Sequence, residues 1–210
     1  TYALSERLDA IESFAADVAH ELKNPLTSLR SAVETAGRLD DINQQQKLMG
    51  IIQEDVQRLD RLISDISDAS RLDAELSREE SKNINLGQLL EALVDAHRIS
   101  GGYGSHRIKF NQTTETPLVV MGNEGRIIQV FQNLITNSFS FSPQGGKVVV
   151  QIGLDGDWVV AAVEDEGPGI PRASLEKIFE RFYSERPETE QFGIHSGLGL
   201  SISRQIVAAH

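Results

Sequence analysis

The sequence contains no cysteine, so it can form neither disulfide bonds nor thiolate metal sites. It also lacks an apolar run of about 18 residues, the length that a membrane-spanning helix requires. Positive charge is scarce, because 20 Lys and Arg residues stand against 31 Asp and Glu residues, for a formal net charge of −11. Binding to nucleic acid or anionic lipid requires a basic surface. We therefore expect no nucleic-acid partner and no direct membrane contact, but a protein partner or a metal-neutralised nucleotide.

Two ordinary domains are the default for 210 residues of which 40% are apolar and 24% are charged. Helical periodicity is already present at residues 1–4, and the sequence stops at His210 within another apolar helical pattern. We therefore expect a fragment of a longer protein. The lack of cysteine fits a reducing compartment.

The first part of the sequence predicts a long amphipathic helix. Its buried stripe consists of residues spaced by three or four, namely Leu8, Ile11, Ala15, Val18, Leu22, Pro25, Leu29 and Ala32. His20 lies opposite this stripe and shares its face with Asn24, while Glu21 is one step around the helix. An exposed imidazole can act as a nucleophile. Pro25 deprives the Glu21 carbonyl of its helical hydrogen-bond donor.

A second helix is predicted from another stripe with alternating spacings of four and three, namely Ile52, Val56, Leu59, Ile63, Ile66 and Ser70. The polar segment 37–46 is short enough to turn one helix back on the other as an antiparallel hairpin. Two helices alone make a poor core, so we expect a homodimer that forms a four-helix bundle. The alternative is an intramolecular coiled coil against a segment outside this sequence.

The pattern changes after a predicted linker at residues 77–85. Two helices are predicted over residues 86–98 and 124–139, the second capped by Asn123. Short strands are predicted over residues 107–110, 118–121, 147–152 and 158–163, the last two joined by a hairpin turn at residues 155–157. This order of elements predicts an α+β fold, in which an α/β sandwich follows the helical hairpin.

Two stretches of the second half carry groups suited to a ligand. Asn133 and Asn137 lie four residues apart on one helical face, where their amide oxygens could coordinate a hard cation. In the run from Asp165 to Gly169, glycines let the backbone approach a flat ligand, and the carboxylate can accept a hydrogen bond from an exocyclic amine. Each stretch also has a plainer interpretation, as surface amides or as a strand-ending turn.

An aromatic cluster at residues 178–183 precedes a long polar segment, residues 184–196, that fits a mobile lid. Core packing explains the cluster equally well. The run Gly197-Leu198-Gly199 then opens a helix, whose free N–H groups and positive dipole favour phosphate. It is not a GxGxxG fingerprint, since position 202 is Ile, and no GxxxxGK[ST] occurs. The Rossmann and P-loop interpretations therefore both fail.

The run His20-Glu21-Leu22-Lys23-Asn24-Pro25-Leu26 resembles the H-box of two-component sensor histidine kinases. The later stretches, in the same order, resemble the N, G1, F and G2 boxes of the GHKL ATPase superfamily, and the five motifs cover essentially the whole chain. Residues 180–210 also resemble the alphaproteobacterial envelope-sensing kinases of the ChvG/ExoS/BvrS type. Ser140 and Phe141 depart from many relatives, in which a Lys-Tyr pair supplies a cationic phosphate contact.

The resemblance implies a role for each of these residues. His20 would take the γ-phosphoryl group of ATP, Glu21 would orient or deprotonate the imidazole, and Asn24 would position a water that dephosphorylates the partner. Asn133 would ligate Mg2+, and Asn137 would lie near the phosphates. The other nucleotide-binding residues would be Asp165, Gly167 and Gly169 around the adenine, and Gly197, Leu198 and Gly199 over the phosphates.

The resemblance further implies a dimerisation and phosphotransfer domain at residues 1–78, a linker at 79–84 and a catalytic ATP-binding domain at 85–210, truncated at its C-terminus. The expected reaction is autophosphorylation of His20 from Mg-ATP, followed by transfer to an aspartate in the receiver domain of a response regulator. We expect a cytoplasmic fragment of an inner-membrane-anchored bacterial sensor. Two alternatives stay open: a signalling scaffold with a degenerate ATP domain, and a GHKL ATPase or protein Ser/Thr kinase that forms no phosphohistidine.

Overall fold

The computed structural model describes residues 2–39, 41–76, 81–100, 107–183 and 196–210. Two helices of 35 residues come first, α1 (Tyr2–Ala36) and α2 (Ile42–Leu76). They are followed by β1 (Lys82–Asn85), α3 (Leu86–Ser100), β2 (Arg107–Gln112), β3 (Val119–Gly122), α4 (Glu124–Phe141), β4 (Lys147–Asp155), β5 (Trp158–Glu164) and α5 (Gly199–Ala209). Within these described stretches, none of the helices combines the length and the apolar composition that spanning a membrane requires. The predicted α+β architecture is confirmed.

Contacts divide the chain into two compact units. The first contains Thr1–Arg71 and Glu180–Leu198, and the second contains Leu72–Phe179 and Gly199–His210. The domain boundaries expected from the sequence stay a prediction, and linker residues 77–80 lie outside the described residues.

Helices α1 and α2 of the first unit form an antiparallel hairpin. Glu21 lies 15 residues before the end of α1, and Arg58 lies 16 residues after the start of α2, so both are about 23 Å from the turn. Their side chains form an ion pair across the hairpin at 3.5 Å. The turn is shorter than the predicted segment 37–46, because Asp41 Oδ1 accepts a hydrogen bond from the backbone N–H of Asn43 at 2.8 Å. This cap lets the polar residues after it form the exposed first turn of α2.

The predicted buried stripes are only partly correct. Pro25 and Ala32 of α1 are buried as expected. On α2, however, Leu62 is 2% exposed, whereas Val56 and Ile63 of the predicted stripe are 45% and 57% exposed. Helix α2 carries apolar residues on two adjacent faces, and only one of them can face α1. The sequence pattern does not show which face that is.

The second unit contains a three-stranded sheet in the order β2-β4-β5 and a separate antiparallel pair, β1 with β3. Strand β2 is parallel to β4, and β5 is antiparallel to it. Strand β1 lies at the end of the predicted linker, because Asn83 pairs with Met121 of β3, a partner that is distant in sequence. A four-residue strand of this kind has no local signal of its own.

The core of the second unit lies between the three-stranded sheet and helices α3 and α4. Alternate residues of β4, namely Val148, Val150 and Ile152, are at most 1% exposed, which is the period of a strand with one buried face. Leu90 of α3 and Ile135 of α4 are both 0% exposed within the same cluster. The structure confirms the two predicted helices and the Asn123 cap, whose side chain accepts a hydrogen bond from Arg126 N at 3.0 Å.

Candidate functional site

The outer face of α1 presents His20. The side chains of His20 and Asn24 are exposed, whereas Pro25 on the opposite side of the helix is buried. Helix α1 continues through Pro25. The Glu21 carbonyl therefore receives no backbone hydrogen bond from position 25. The predicted outward position of the histidine is confirmed, and its imidazole is open to a reactant.

Glu21 is held by a residue that the sequence analysis did not single out. Its Oε2 lies 3.5 Å from Nη2 of Arg58 on α2, and the two side chains are only 24% and 22% exposed. Partial shielding from water strengthens their attraction. The pair directs the carboxylate across the hairpin. Helix α2 contains many charged residues, so its sequence does not distinguish Arg58 from the others. The position of Arg58 next to the predicted buried stripe of α2 is the signal that could have identified it.

Asn133 joins α4 to the first turn of α5 in the second unit. Its Nδ2 donates to the carbonyl of Gly199 at 3.0 Å and to Oγ of Ser203 at 3.3 Å. These bonds use the amide nitrogen, so they do not engage Oδ1, the atom that a hard cation would take. Asn137 is half-buried one turn further along α4, on the same face.

The turn after β5 packs against the other end of α4. The N–H of Gly167 donates to Oδ1 of Asp165 at 2.8 Å. A Cβ on Gly167 would lie 2.7 Å from that oxygen and 3.0 Å from the carbonyl oxygen of Phe141, so only glycine fits there. Gly169 has a φ of +74°, in the left-handed region that glycine adopts readily. The Asp165 carboxylate is thereby held in place on an exposed turn.

These contacts mark out one face of α4. Asn133, Asn137 and Phe141 are spaced by four residues, and the face spans about 12 Å. Gly199 lies at one end of it and Gly167 at the other. The structure therefore places six of the eight predicted nucleotide-binding residues along this face or in the turn at its end, namely Asn133, Asn137, Asp165, Gly167, Gly169 and Gly199.

A cation at this face would be coordinated mainly by water and by the phosphates of a bound molecule, and less by protein side chains. In the described parts of the chain, no group of three or more histidine or carboxylate side chains could hold a metal ion. Mg2+ commonly uses one or two protein oxygens, together with water and substrate phosphates. The amide oxygen of Asn133 fits that mode of binding.

Phe182 and Gly197 of the first unit bring together the two ends of the predicted lid. The N–H of Phe182 donates to the carbonyl of Gly197 at 2.9 Å. Gly197 has a φ of +74°, and a Cβ on it would lie 2.8 Å from Cα of Phe182. The Phe182 ring stacks on Phe14 of α1 with ring centroids 6.1 Å apart. The predicted lid itself lies outside the described residues except for Ser196.

Ser196 forms a second contact with the hairpin. Its Oγ donates to Oδ2 of Asp65 on α2 and accepts from the N–H of Leu198 at 3.2 Å. The side chain of Leu198 is fully buried. Burial raises the pKa of Asp65, and the hydrogen bond from Ser196 partly opposes that rise. Asp65 was not predicted, because a carboxylate on a polar helix gives no sequence signal.

Comparison with known proteins assigns the family. Residues 10–75 match the His Kinase A (phospho-acceptor) domain, and residues 122–210 match the histidine kinase-, DNA gyrase B-, and HSP90-like ATPase domain. The chain is 53% identical to the sensor protein ChvG of Agrobacterium fabrum and 52% identical to that of Rhizobium meliloti. Both similarities cover 100% of this chain, and they cover 36% and 37% of the relatives. The chain belongs to the two-component sensor histidine kinases.

The structure is also similar to that of a solved sensor histidine kinase. Histidine kinase ThkA, in complex with the response regulator protein TrrA, has a TM-score of 0.69 and 28% identity, covering 86% of this chain and 53% of that chain. The predicted family, with its helical phospho-acceptor part followed by an ATPase part, is confirmed. The phospho-acceptor match contains His20, and the ATPase match contains all eight predicted nucleotide-binding residues. This sensor histidine kinase chain spans a little over a third of the length of its ChvG relatives.

Proposed function

We propose that this chain phosphorylates its own His20 from Mg-ATP and passes the phosphoryl group to an aspartate of a response regulator. The observation that carries the proposal is the exposed imidazole of His20 within the segment that matches a phospho-acceptor domain. The α4 face, within the segment that matches an ATPase, supplies the second half of the reaction. ThkA, a relative in structure, is solved in complex with a response regulator, which supports a partner of that class.

The nucleotide lies along the α4 face in this proposal. Asp165 accepts a hydrogen bond from the adenine amine, and the turn of Gly167 and Gly169 forms the wall beside the base. Asn133 offers its amide oxygen to Mg2+, which when bound neutralises phosphate charge. Asn137 lies beside the phosphates, and the positive N-terminal end of α5, which begins at Gly199, favours them.

The helical hairpin supplies His20, the acceptor of the phosphoryl group, and the side chain that orients it. Phosphoryl transfer depends mainly on positioning and charge neutralisation, so a strong base is not required. Glu21 therefore acts on the imidazole of His20 by orienting it, and it must leave Arg58 to do so, since the ion pair holds it toward α2. Asn24, on the same face as His20, positions a water for dephosphorylation of the regulator.

A second copy of the chain covers the hairpin in the working protein. Several large apolar side chains of α1 and α2 are exposed in one copy, namely Leu26, Val33, Ile42, Met49, Ile51, Val56 and Ile63. An open groove on α1 is lined by Ala19, Leu22, Lys23, Leu26, Thr27 and Arg30. Burial of this surface in a four-helix bundle stabilises a homodimer. In the longer protein, we propose that a membrane anchor and a sensor part lie outside this chain.

The test combines phosphorylation with nucleotide binding. With γ-labelled ATP, the chain should acquire label that is acid-labile and alkali-stable, and His20→Ala should acquire none while it still binds ATP by calorimetry. Ser28→Ala, an exposed position eight residues further along α1, is the matched control and should label normally. Retention of label by His20→Ala would refute the assignment of the acceptor.

Asp165→Asn should lose ATP binding and label together. Absence of ATP binding by the unmodified chain would favour the scaffold alternative. Binding and hydrolysis without phosphohistidine would favour the ATPase alternative.

A further inference from the structure

Helix α5 is tied to α4 by polar contacts at both of its ends. At the start of α5, Asn133 donates to the Gly199 carbonyl and to Ser203 Oγ. At the far end, Nε2 of His210 accepts a hydrogen bond from the backbone N–H of Asn123 at 3.0 Å. Asn123 is the residue that caps α4. The two contacts therefore attach α5 to the middle and to the beginning of the same helix.

The two contacts are separated by nearly the same distance on each helix. Asn133 lies 10 residues after Asn123, and His210 lies 11 residues after Gly199, which corresponds to about 15 Å along each helix. The two helices therefore run antiparallel in matched register. Between the two contacts, Ile202 and Ile206 of α5 are buried, and the Arg204 guanidinium lies over the Phe179 ring at 5.4 Å.

The chemistry of the second contact requires one tautomer of the imidazole. Because the backbone N–H of Asn123 is a donor, Nε2 of His210 must carry a lone pair. The proton of the neutral ring is then on Nδ1, which lies 2.8 Å from the carbonyl oxygen of Ile206 and donates to it. Gly122 makes room for the ring, because a Cβ there would lie 2.6 Å from Cδ2 of His210.

We propose that His210 is a positioning residue of the nucleotide site. It holds the far end of α5 on the cap of α4, and this prevents α5 from pivoting about its contact with Asn133. The direction in which the first turn of α5, beginning at Gly199, faces the α4 surface is thereby fixed. The inference rests on the proposed function, because the surface whose geometry this contact maintains is the proposed ATP-binding face.

The first test measures binding of a non-hydrolysable ATP analogue with Mg2+ by calorimetry on the 210-residue chain. His210→Ala loses one neutral hydrogen bond to α4 and should bind about fivefold more weakly. His210→Gln places an acceptor oxygen as many bonds from Cα as Nε2 is, and should restore binding. Val207→Ala, on the exposed side of the same helix, should bind normally. Normal binding by His210→Ala, or binding by His210→Gln as weak as that of His210→Ala, would overturn the proposal.

The second test uses Gly122→Ala, which should displace the imidazole and weaken analogue binding to the same extent as His210→Ala. In the double variant the two effects should not add, because the ring that the added methyl group would displace is gone. Additive effects would contradict the proposal.

A third measurement does not need the nucleotide. At alkaline pH, ¹⁵N NMR of His210 should show the proton on Nδ1, and the opposite tautomer would refute the contact. If the unmodified chain bound no nucleotide while this tautomer was observed, the proposed function would fail and the contact would stand.

Discussion

The two units of this chain differ in how completely each buries its own apolar surface. The second unit has a core of twelve buried apolar residues between its sheet and helices. Among the described side chains of α1 and α2, only Pro25, Ala32 and Leu62 are buried, although each helix has 35 residues. The α/β unit thus buries a core of its own within one copy of the chain. The hairpin does not, and its folding depends on what covers its outer apolar side chains.

This difference fits a division of labour. A nucleotide site needs a fixed surface, which a closed core provides. In the proposed function, α1 presents His20 first to a nucleotide and then to a partner, and a weaker internal core favours this because the arrangement of the helices can change at low cost. The following predictions test the contrast, beginning with the largest expected effect.

Replacement of Leu90 by Ala should destabilise the second unit by about 3 kcal/mol, because the side chain is 0% exposed and leaves a cavity. Urea unfolding followed by the fluorescence of Trp158, in the same unit, is the measurement. Leu154→Ala, at a position that is 53% exposed, is the control and should change the unfolding free energy by less than about 0.5 kcal/mol. An equal decrease in the free energy of unfolding of α1 and α2 would mean that the two units do not unfold independently.

Replacement of Ile63 by Glu should weaken the proposed homodimer by about 2 kcal/mol, or roughly thirtyfold, because an apolar side chain that a second copy would bury becomes charged. Analytical ultracentrifugation over a range of concentrations measures this dissociation. Gln53→Glu adds the same charge at an exposed polar position of α2 and should leave the dimer intact. If Ile63→Glu left the dimer unaffected, the dimer interface would have to lie on another face of the hairpin.

Replacement of Asp65 by Asn should have the smallest effect on the free energy of unfolding, and this effect should depend most clearly on pH. Burial raises the pKa of Asp65 above its ordinary value of 3.8, so the ionised carboxylate destabilises the fold. The stability of the unmodified protein should therefore fall as pH rises from 3.8 through the raised pKa. Asp65→Asn should be more stable at neutral pH, and this advantage should vanish below the ordinary pKa of the carboxyl group.

Ser196→Ala is the companion variant for this measurement. It removes the hydrogen bond that favours the ionised carboxylate, so it should lower stability at neutral pH and leave it nearly unchanged in acid. Denaturant unfolding at a series of pH values measures both effects. Equal stability of Asp65→Asn and the unmodified protein at every pH would show that the carboxylate is not held in a buried position.

The sequence predicted the features that local periodicity encodes. The helical pattern of α4 and the outward position of His20 follow from a repeat of about 3.6 residues, while β4 follows from its β-rich composition and the Asn123 cap from its residue type. The shared α4 face of Asn133 and Asn137 follows from their spacing of four residues. Periodicity identifies the buried face where apolar residues occupy a single face of a helix, but not on α2, where they occupy two adjacent faces.

The features that the sequence did not predict depend on partners that are distant along the chain. Strand β1 exists because β3 pairs with it, and Arg58 matters because the turn between the helices places it opposite Glu21. Asp65 and His210 were missed for the same reason, since Ser196 and Asn123 are 131 and 87 residues away from them. A polar residue gives no sign in the sequence of which distant group it contacts.

The hydrogen bond between Phe182 and Gly197 has a consequence for engineering. Because the chain closes on itself at these two residues, the distance between the ends of the intervening segment does not depend on its length. Each doubling of a closed loop costs only about 0.6 kcal/mol in closure entropy. Residues 184–195 are therefore a suitable place to insert a peptide tag or a small fluorescent domain, while Gly197 to Gly199 keep their position.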